Sequence, residues 1–212
     1  MKINVVLLVF WSIFISITFA KNIHLDNEKF EFKISYVHNL IKNNGWSCKD
    51  VVRYFIDRAV KYDPQIRSII SYNPRVFQRA QELDEYYAEN KKFIGKLHCV
   101  PMLIKDNIDM IGIPTTGGIN ALRNSVPQKN ALVIDRLNKE GAVYLAKANM
   151  AQLAIGSTPS DSVGLCQNPF NFNRTCGGSS SGSAAGIVSG FSVVSLGTDT
   201  SGSIVGMKND FF

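Results

Sequence analysis

Apolar residues recur at helical spacing through the first half of the chain. Ile34, Val37, Leu40 and Ile41 share one face of a short helix that ends near Asn44-Gly45. Ser47 and Asp50 form a capping box in which Asp replaces the usual Glu. Behind it Val51, Val52, Tyr54, Phe55, Ala59 and Val60 repeat until Asp63-Pro64 ends the run. A third helix has Pro74 in its first turn and runs to about Glu89, followed by a linker at Asn90-Lys91-Lys92. From His98 to Ile104 the pattern changes to a short apolar run, a buried strand that opens into a loop at Lys105-Asp106-Asn107. Ala131 to Glu140 is helical again, Gly141 stops it, and Ala142-Val143-Tyr144-Leu145-Ala146 reads as a second buried strand. The stretch from Ser157 to Ser183 is too polar for core, Ala184 to Val188 opens a helix, and Ser192 to Leu196 makes a further strand. Strand and helix alternate, so the fold class is α/β with a largely parallel sheet.

Composition adds limits. The chain has 212 residues, 45% hydrophobic and 19% charged, which excludes disordered, collagenous and coiled-coil classes and fits one globular domain or the front of a larger one. The net charge is +6, yet no basic run exceeds Lys91-Lys92. A solvated, mildly basic surface follows rather than a nucleic-acid face, which needs clustered Lys and Arg. From Ile3 to Ala20 no residue is charged, Lys2 precedes the run, and small residues close it at Thr18-Phe19-Ala20. Residues 1–20 are therefore expected to be a secretory signal cleaved after Ala20, with an uncleaved membrane anchor as the alternative. The domain would then occupy residues 21–212 in a secreted protein.

Cys48, Cys99, Cys166 and Cys176 show neither CxxC nor metal-type spacing, so the expectation is small buried hydrophobes and no zinc or redox site. In an oxidising compartment a Cys166–Cys176 disulfide is possible. Asn173-Arg174-Thr175 is the one N-glycosylation acceptor pattern.

The Gly177-Gly178-Ser179-Ser180-Ser181-Gly182-Ser183 loop before a helix invites four readings: phosphate cradle, esterase elbow, serine-based catalytic loop or flexible linker. A phosphate loop needs a Lys at its end, and none is near. An esterase elbow needs a His later in the chain, whereas His24, His38 and His98 all precede it; His98 is read as a satisfied strand residue. A hydrolytic Ser then needs another base, and a desolvated Lys can serve. Lys105, behind the apolar run Val100 to Ile104, is placed for that. The segment Gly197-Thr198-Asp199-Thr200-Ser201-Gly202-Ser203-Ile204 offers successive N–H groups that could converge into an oxyanion hole, or form a plain turn.

Together Lys105-Asp106-Asn107, Gly177-Gly178-Ser179-Ser180 and Asp199-Thr200-Ser201-Gly202-Ser203-Ile204 resemble the amidase signature family over about residues 30 to 205, closest to its peptide-amidase-like branch. The separations, 74 residues from Lys105 to Ser179 and 24 from Ser179 to Ser203, are those of that family's Ser–cis-Ser–Lys arrangement. The resemblance implies a mixed, mostly parallel sheet flanked by helices, of which this chain carries the N-terminal portion. It implies amide hydrolysis with Ser203 as nucleophile, Ser179 as bridge across a cis Gly178–Ser179 peptide, and Lys105 as base. The oxyanion hole would be the N–H groups of Thr200, Ser201, Gly202 and Ser203, and Ser179 and Ser180 would line the substrate. The expected partner is a small-molecule or peptide amide, with no metal, cofactor or nucleic acid, and with a membrane only if the N-terminal segment stays uncleaved.

Two departures stand out. Ser201 replaces the family's Gly, or the acidic residue of the nearer branch, where the acyl group would sit. After Ile204-Val205 the family continues through a Pro-containing segment, whereas this chain reads Gly206-Met207-Lys208-Asn209-Asp210-Phe211-Phe212. The expectation is a truncated product. Two other readings remain beside the amidase: an inactive fragment that acts as a binding module, and an amidotransferase A-type subunit, against which the signal-like segment counts.

Overall fold

The computed structural model describes residues 33–206. The signal-like segment Ile3 to Ala20 lies outside them. Helix α1 (Ile34–Asn43) buries the expected stripe of Val37, Leu40 and Ile41. Helix α2 (Cys48–Ile66) begins at the expected capping box: Ser47 Oγ accepts the Asp50 N–H at 3.1 Å, and Asp50 Oδ2 accepts the Ser47 N–H at 2.9 Å. Two further N–H groups at this helix start, on Cys48 and Lys49, donate to the Asp84 carboxylate at 2.6 and 3.2 Å. Negative charge is favourable there because the first-turn donors have no intrahelical acceptors. Asp84 belongs to helix α3 (Val76–Asn90), which packs against α2.

Between these helices runs strand β1 (Ile69–Tyr72), which the apolar pattern did not predict. The sheet continues with β2 (Pro101–Lys105), helix α4 (Leu132–Lys139) and β3 (Val143–Ala148). It is followed by a two-stranded hairpin, β4 (Gln167–Asn168) and β5 (Asn171–Thr175), then helix α5 (Ser181–Val188) and β6 (Val194–Leu196). The order is β1-β3-β2-β6. β2 runs parallel to both β3 and β6, and β1 is antiparallel to β3. Every residue of β2 and β3 is buried, which explains their continuous apolar runs.

Several boundaries differ from the sequence reading. Pro64 lies inside the last turn of α2 rather than ending it; so near the C-terminus its missing N–H costs one bond, and the turn is closed by Arg67 N–H donating to Asp63 O. β2 starts at Pro101 because Leu97 to Val100 turns first, with Cys99 at φ 61° and Val100 N–H bonded to Leu97 O at 2.9 Å. His98 is therefore a turn residue, not a strand residue: its Nδ1 accepts the Ile94 N–H at 3.4 Å and its buried Nε2 has no partner among the described residues. β3 extends through Lys147 to Ala148, and α5 begins three residues before Ala184.

The cysteines are buried, as expected, but Cys48 and Cys99 are not free. They form one disulfide, which ties the start of α2 to the turn before β2, and Cys166–Cys176 forms a second across the β4–β5 hairpin. Spacing could not reveal the first pair, whose partners are 51 residues apart. Among the described residues no helix is long and apolar enough to cross a membrane, and no group of three or more His, Cys, Asp or Glu could hold a metal ion.

Candidate active site

The parallel strands β2, β3 and β6 all end on the same side of the sheet. Crevices beyond the carboxyl ends of such strands are where α/β folds gather polar groups. Lys105 is the last residue of β2, paired with Ala148 on β3, and it is completely buried. Thr198 follows β6 by two residues. Ser179 lies in the loop before α5, and its carbonyl accepts the Ala151 N–H at 3.1 Å, which fixes the loop against the chain leaving β3.

These three residues meet. Lys105 Nζ donates to Ser179 Oγ at 2.7 Å, to Thr198 Oγ1 at 2.8 Å and to Thr198 O at 3.3 Å. Burial pushes the Lys105 ammonium down from 10.5 to about 8, against a smaller opposing pull from the Asp199 carboxylate. The peptide between Gly178 and Ser179 is cis.

The loop is held from below. Asn107 Nδ2 donates to Thr198 Oγ1 at 3.0 Å, Ser180 Oγ donates to Thr198 O at 3.1 Å, and Ser183 Oγ donates to Leu196 O at 2.8 Å. Two glycines admit the close approach. A Cβ at Gly178 would collide with Gly156 O, and one at Gly182 with Ser68 O and Asn149 N. Gly182 N–H donates to Asn149 O at 2.8 Å, so the start of α5 sits directly on the segments after α2 and β3.

Beneath lies a second buried amine. Lys147 Nζ donates to Asp106 O at 3.0 Å and Thr115 Oγ1 at 3.1 Å, and it stands 3.7 Å from Asp106 Oδ1. The other Asp106 oxygen accepts from the Thr116 hydroxyl and N–H. This network anchors the turn that follows Lys105.

Ser203 joins the site through its carbonyl, which accepts the Ser180 N–H at 3.3 Å, while its hydroxyl makes no hydrogen bond among the described residues. Of the four N–H groups expected to form an oxyanion hole, those of Gly202 and Ser203 donate to Asp199 Oδ1 at 2.7 and 3.1 Å. Ile204 and Val205 donate to Asp199 Oδ2 at 3.0 and 2.9 Å. These N–H groups hold the Asp199 carboxyl below its usual range. The Thr200 and Ser201 N–H groups have no partner among the described residues. Sequence reasoning gave no role to Thr198, Asn107 or the Asp199 carboxylate; their positions inside the two recognised motifs were the only signal.

Comparison with known proteins points one way. The Amidase family model matches residues 50–205. The A subunit of glutamyl-tRNA(Gln) amidotransferase from Exiguobacterium sibiricum is 36% identical over 176 residues, covering 82% of this chain and 36% of that protein. Its namesake from Staphylococcus aureus strain Mu3 is 40% identical over 167 residues, covering 78% of this chain and 34% of that one. The native peptide amidase of Stenotrophomonas maltophilia superposes with a TM-score of 0.77 at 28% identity, over 85% of this chain and 38% of its own. A fatty acid amide hydrolase structure gives 0.76 at 27% identity, over 81% and 31%. The chain thus spans about a third of the length of the relatives it matches.

Proposed function

The chain belongs to the amidase family, and from that premise we propose that it is a serine amidohydrolase that cleaves a carboxamide C–N bond through an acyl-enzyme. The observation that carries this reading is the contact of the buried Lys105 amine with Ser179 Oγ at 2.7 Å, at an amine held near a pKa of about 8. A lysine that loses its proton close to neutrality can act as a base, which an exposed lysine cannot.

In the neutral amine one lone pair is free to accept a proton. Ser179 passes its hydroxyl proton to Lys105 Nζ and takes the proton of Ser203, whose oxygen attacks the carbonyl carbon. The carbonyl π pair moves onto oxygen. The Thr200 and Ser201 N–H groups are open to receive that oxyanion, and those of Gly202 and Ser203 do so by exchanging Asp199 for it. Collapse breaks the C–N bond, the proton returns through Ser179 to the leaving amine, and water then releases the acyl group from Ser203 by the same relay. Thr198 and Asn107 orient Lys105, and Ser179 and Ser180 line the substrate. Ser201 puts a hydroxymethyl group where the acyl chain would enter, which favours small or polar acyl groups.

The reading is tested by ammonia or amine release from a panel of peptide amides, fatty acid amides and small carboxamides. The wild type is expected to hydrolyse at least one class and Ser203→Ala none. Equal rates from both would refute it. A second reading is favoured by the names of the curated relatives: an A-type component of an amidotransferase, working on the glutamine side-chain amide. Ammonia release from glutamine alone, dependent on Ser203, would select it.

The cysteines support a reading of the cellular setting. Two disulfides persist in an oxidising compartment. With the uncharged segment Ile3 to Ala20, they support a protein of the secretory pathway, either secreted or anchored by that segment.

A further inference from the structure

We propose that Asn173 carries an N-linked glycan. This rests on the secretory reading above and on three observations that do not depend on catalysis. The acceptor pattern Asn173-Arg174-Thr175 is complete and has no Pro at its centre. Asn173 is exposed, and its side-chain amide makes no hydrogen bond among the described residues; only its backbone N–H is engaged, by Asn171 Oδ1 at 3.0 Å. The third observation is the hairpin register. Gln167 pairs with Thr175 and Asn168 with Asn171, so Phe172, Asn173 and Arg174 bulge from β5 with no partner on β4. A bulge of this kind leaves its extra residues outside the ladder, where a large substituent displaces nothing.

The hairpin also lies within the span closed by Cys166–Cys176, a bond that itself belongs to the oxidising compartment where such glycans are added. The co-reactant is an oligosaccharide linked to a polyprenyl diphosphate. Asn173 Nδ2 attacks the anomeric carbon, the C–N bond forms, and the bond from that carbon to the diphosphate oxygen breaks. The polyprenyl diphosphate leaves with the electron pair, and one amide proton passes to the transferase's base. The glycan then projects from a strand six residues before Ser179, beside the loop that carries it, without occupying any contact that holds that loop.

The test expresses the full 212-residue chain in a eukaryotic secretory cell. Entry into the pathway is read by protease protection in isolated microsomes, and the glycan by intact mass before and after peptide-N-glycosidase. The expected result is a protected chain whose mass falls on glycosidase treatment, with Asn173 converted to Asp. Asn173→Gln and Thr175→Ala should lack the extra mass, and Thr175→Ser should keep it. Thr175 Oγ1 accepts the Gly177 N–H at 3.2 Å, so the Ser variant, which retains that acceptor, guards against a loss caused by misfolding. A protected wild-type chain without glycan overturns this proposal and leaves the secretory reading standing. A chain left unprotected in the cytosol overturns both.

Discussion

Lys105 is the residue on which the chemical reading turns, because one side chain combines complete burial, contact with Ser179 and a proton released near pH 8. Its ordinary value is 10.5, so between about 8 and 10.5 the unfolded chain holds a proton that the folded chain has lost. Stability should therefore rise with pH through that window, and Lys105→Met should make the rise shallower without abolishing it, because burial also lowers the Lys147 amine, as measured by denaturant midpoints. For activity, kcat/KM should climb with pH and level off above about 8. Lys105→Ala should lose roughly 10²–10⁴-fold, and Lys105→Arg should not rescue it, because a guanidinium keeps its proton. A flat pH profile would contradict the assignment. Lys105 was legible in the sequence because an apolar run ends in a charged residue. Thr198 was not, because a threonine in a Ser/Gly turn carries no signal until the fold sets it against the amine.

His98 makes the opposite kind of prediction. Burial, with smaller contributions from His38 and Arg79, lowers it from 6.5 to about 4. The unfolded chain takes up a proton first as pH falls from 6.5 to 4, so acid costs stability in that window, roughly 3 kcal/mol when complete. The His98 ring stacks on Phe93 with centroids 4.6 Å apart, so His98→Phe, which keeps a ring there, should flatten that loss in acid titrations followed by near-ultraviolet circular dichroism; an unchanged acid midpoint would count against it.

At the scale of elements, Gly182 and the Cys48–Cys99 bond make separate claims. Gly182→Ala sets a methyl against Ser68 O and Asn149 N, which are backbone atoms that cannot swing aside. The expected loss is about 1–3 kcal/mol with a displaced Ser179 loop, seen as a lower melting temperature together with lost activity. The Cys48–Cys99 bond closes a long loop between α2 and the approach to β2. Cys48→Ala/Cys99→Ala should lower stability by about 2–4 kcal/mol in denaturant titrations, and no change would mean the bond adds little.

Most helices were readable because amphipathic spacing and caps are local: the Ser47–Asp50 box placed the start of α2 correctly. β1 escaped notice because four residues, Ile69 to Tyr72, are too short for periodicity to separate from a loop. The β4–β5 hairpin was hidden in the same way. Its polar residues pair through the backbone and show no apolar alternation, although the Cys166–Cys176 bond that spans it was legible in the sequence. Pro64 misled in the other direction, since a proline one turn from a helix end removes too little to stop it.

On the scale of the whole molecule, two comparisons of different kinds agree. The family model matched by the sequence and the superposed structures are both amidases, and the family match runs from the first turn of α2 through Val205. Within it the described residues already bring Lys105, Ser179 and Thr198 into one hydrogen-bonded cluster, with the Ser203 turn tied to it through Ser180. This cluster is expected to make Ser203 nucleophilic. The most direct measurement exposes the protein to an active-site fluorophosphonate and maps the adduct by peptide mass spectrometry, alongside Lys105→Ala. A single adduct on Ser203 is expected, formed faster as pH rises toward 8 and absent in Lys105→Ala. An adduct on another residue, or labelling of Ser203 that ignores the loss of Lys105, would contradict it.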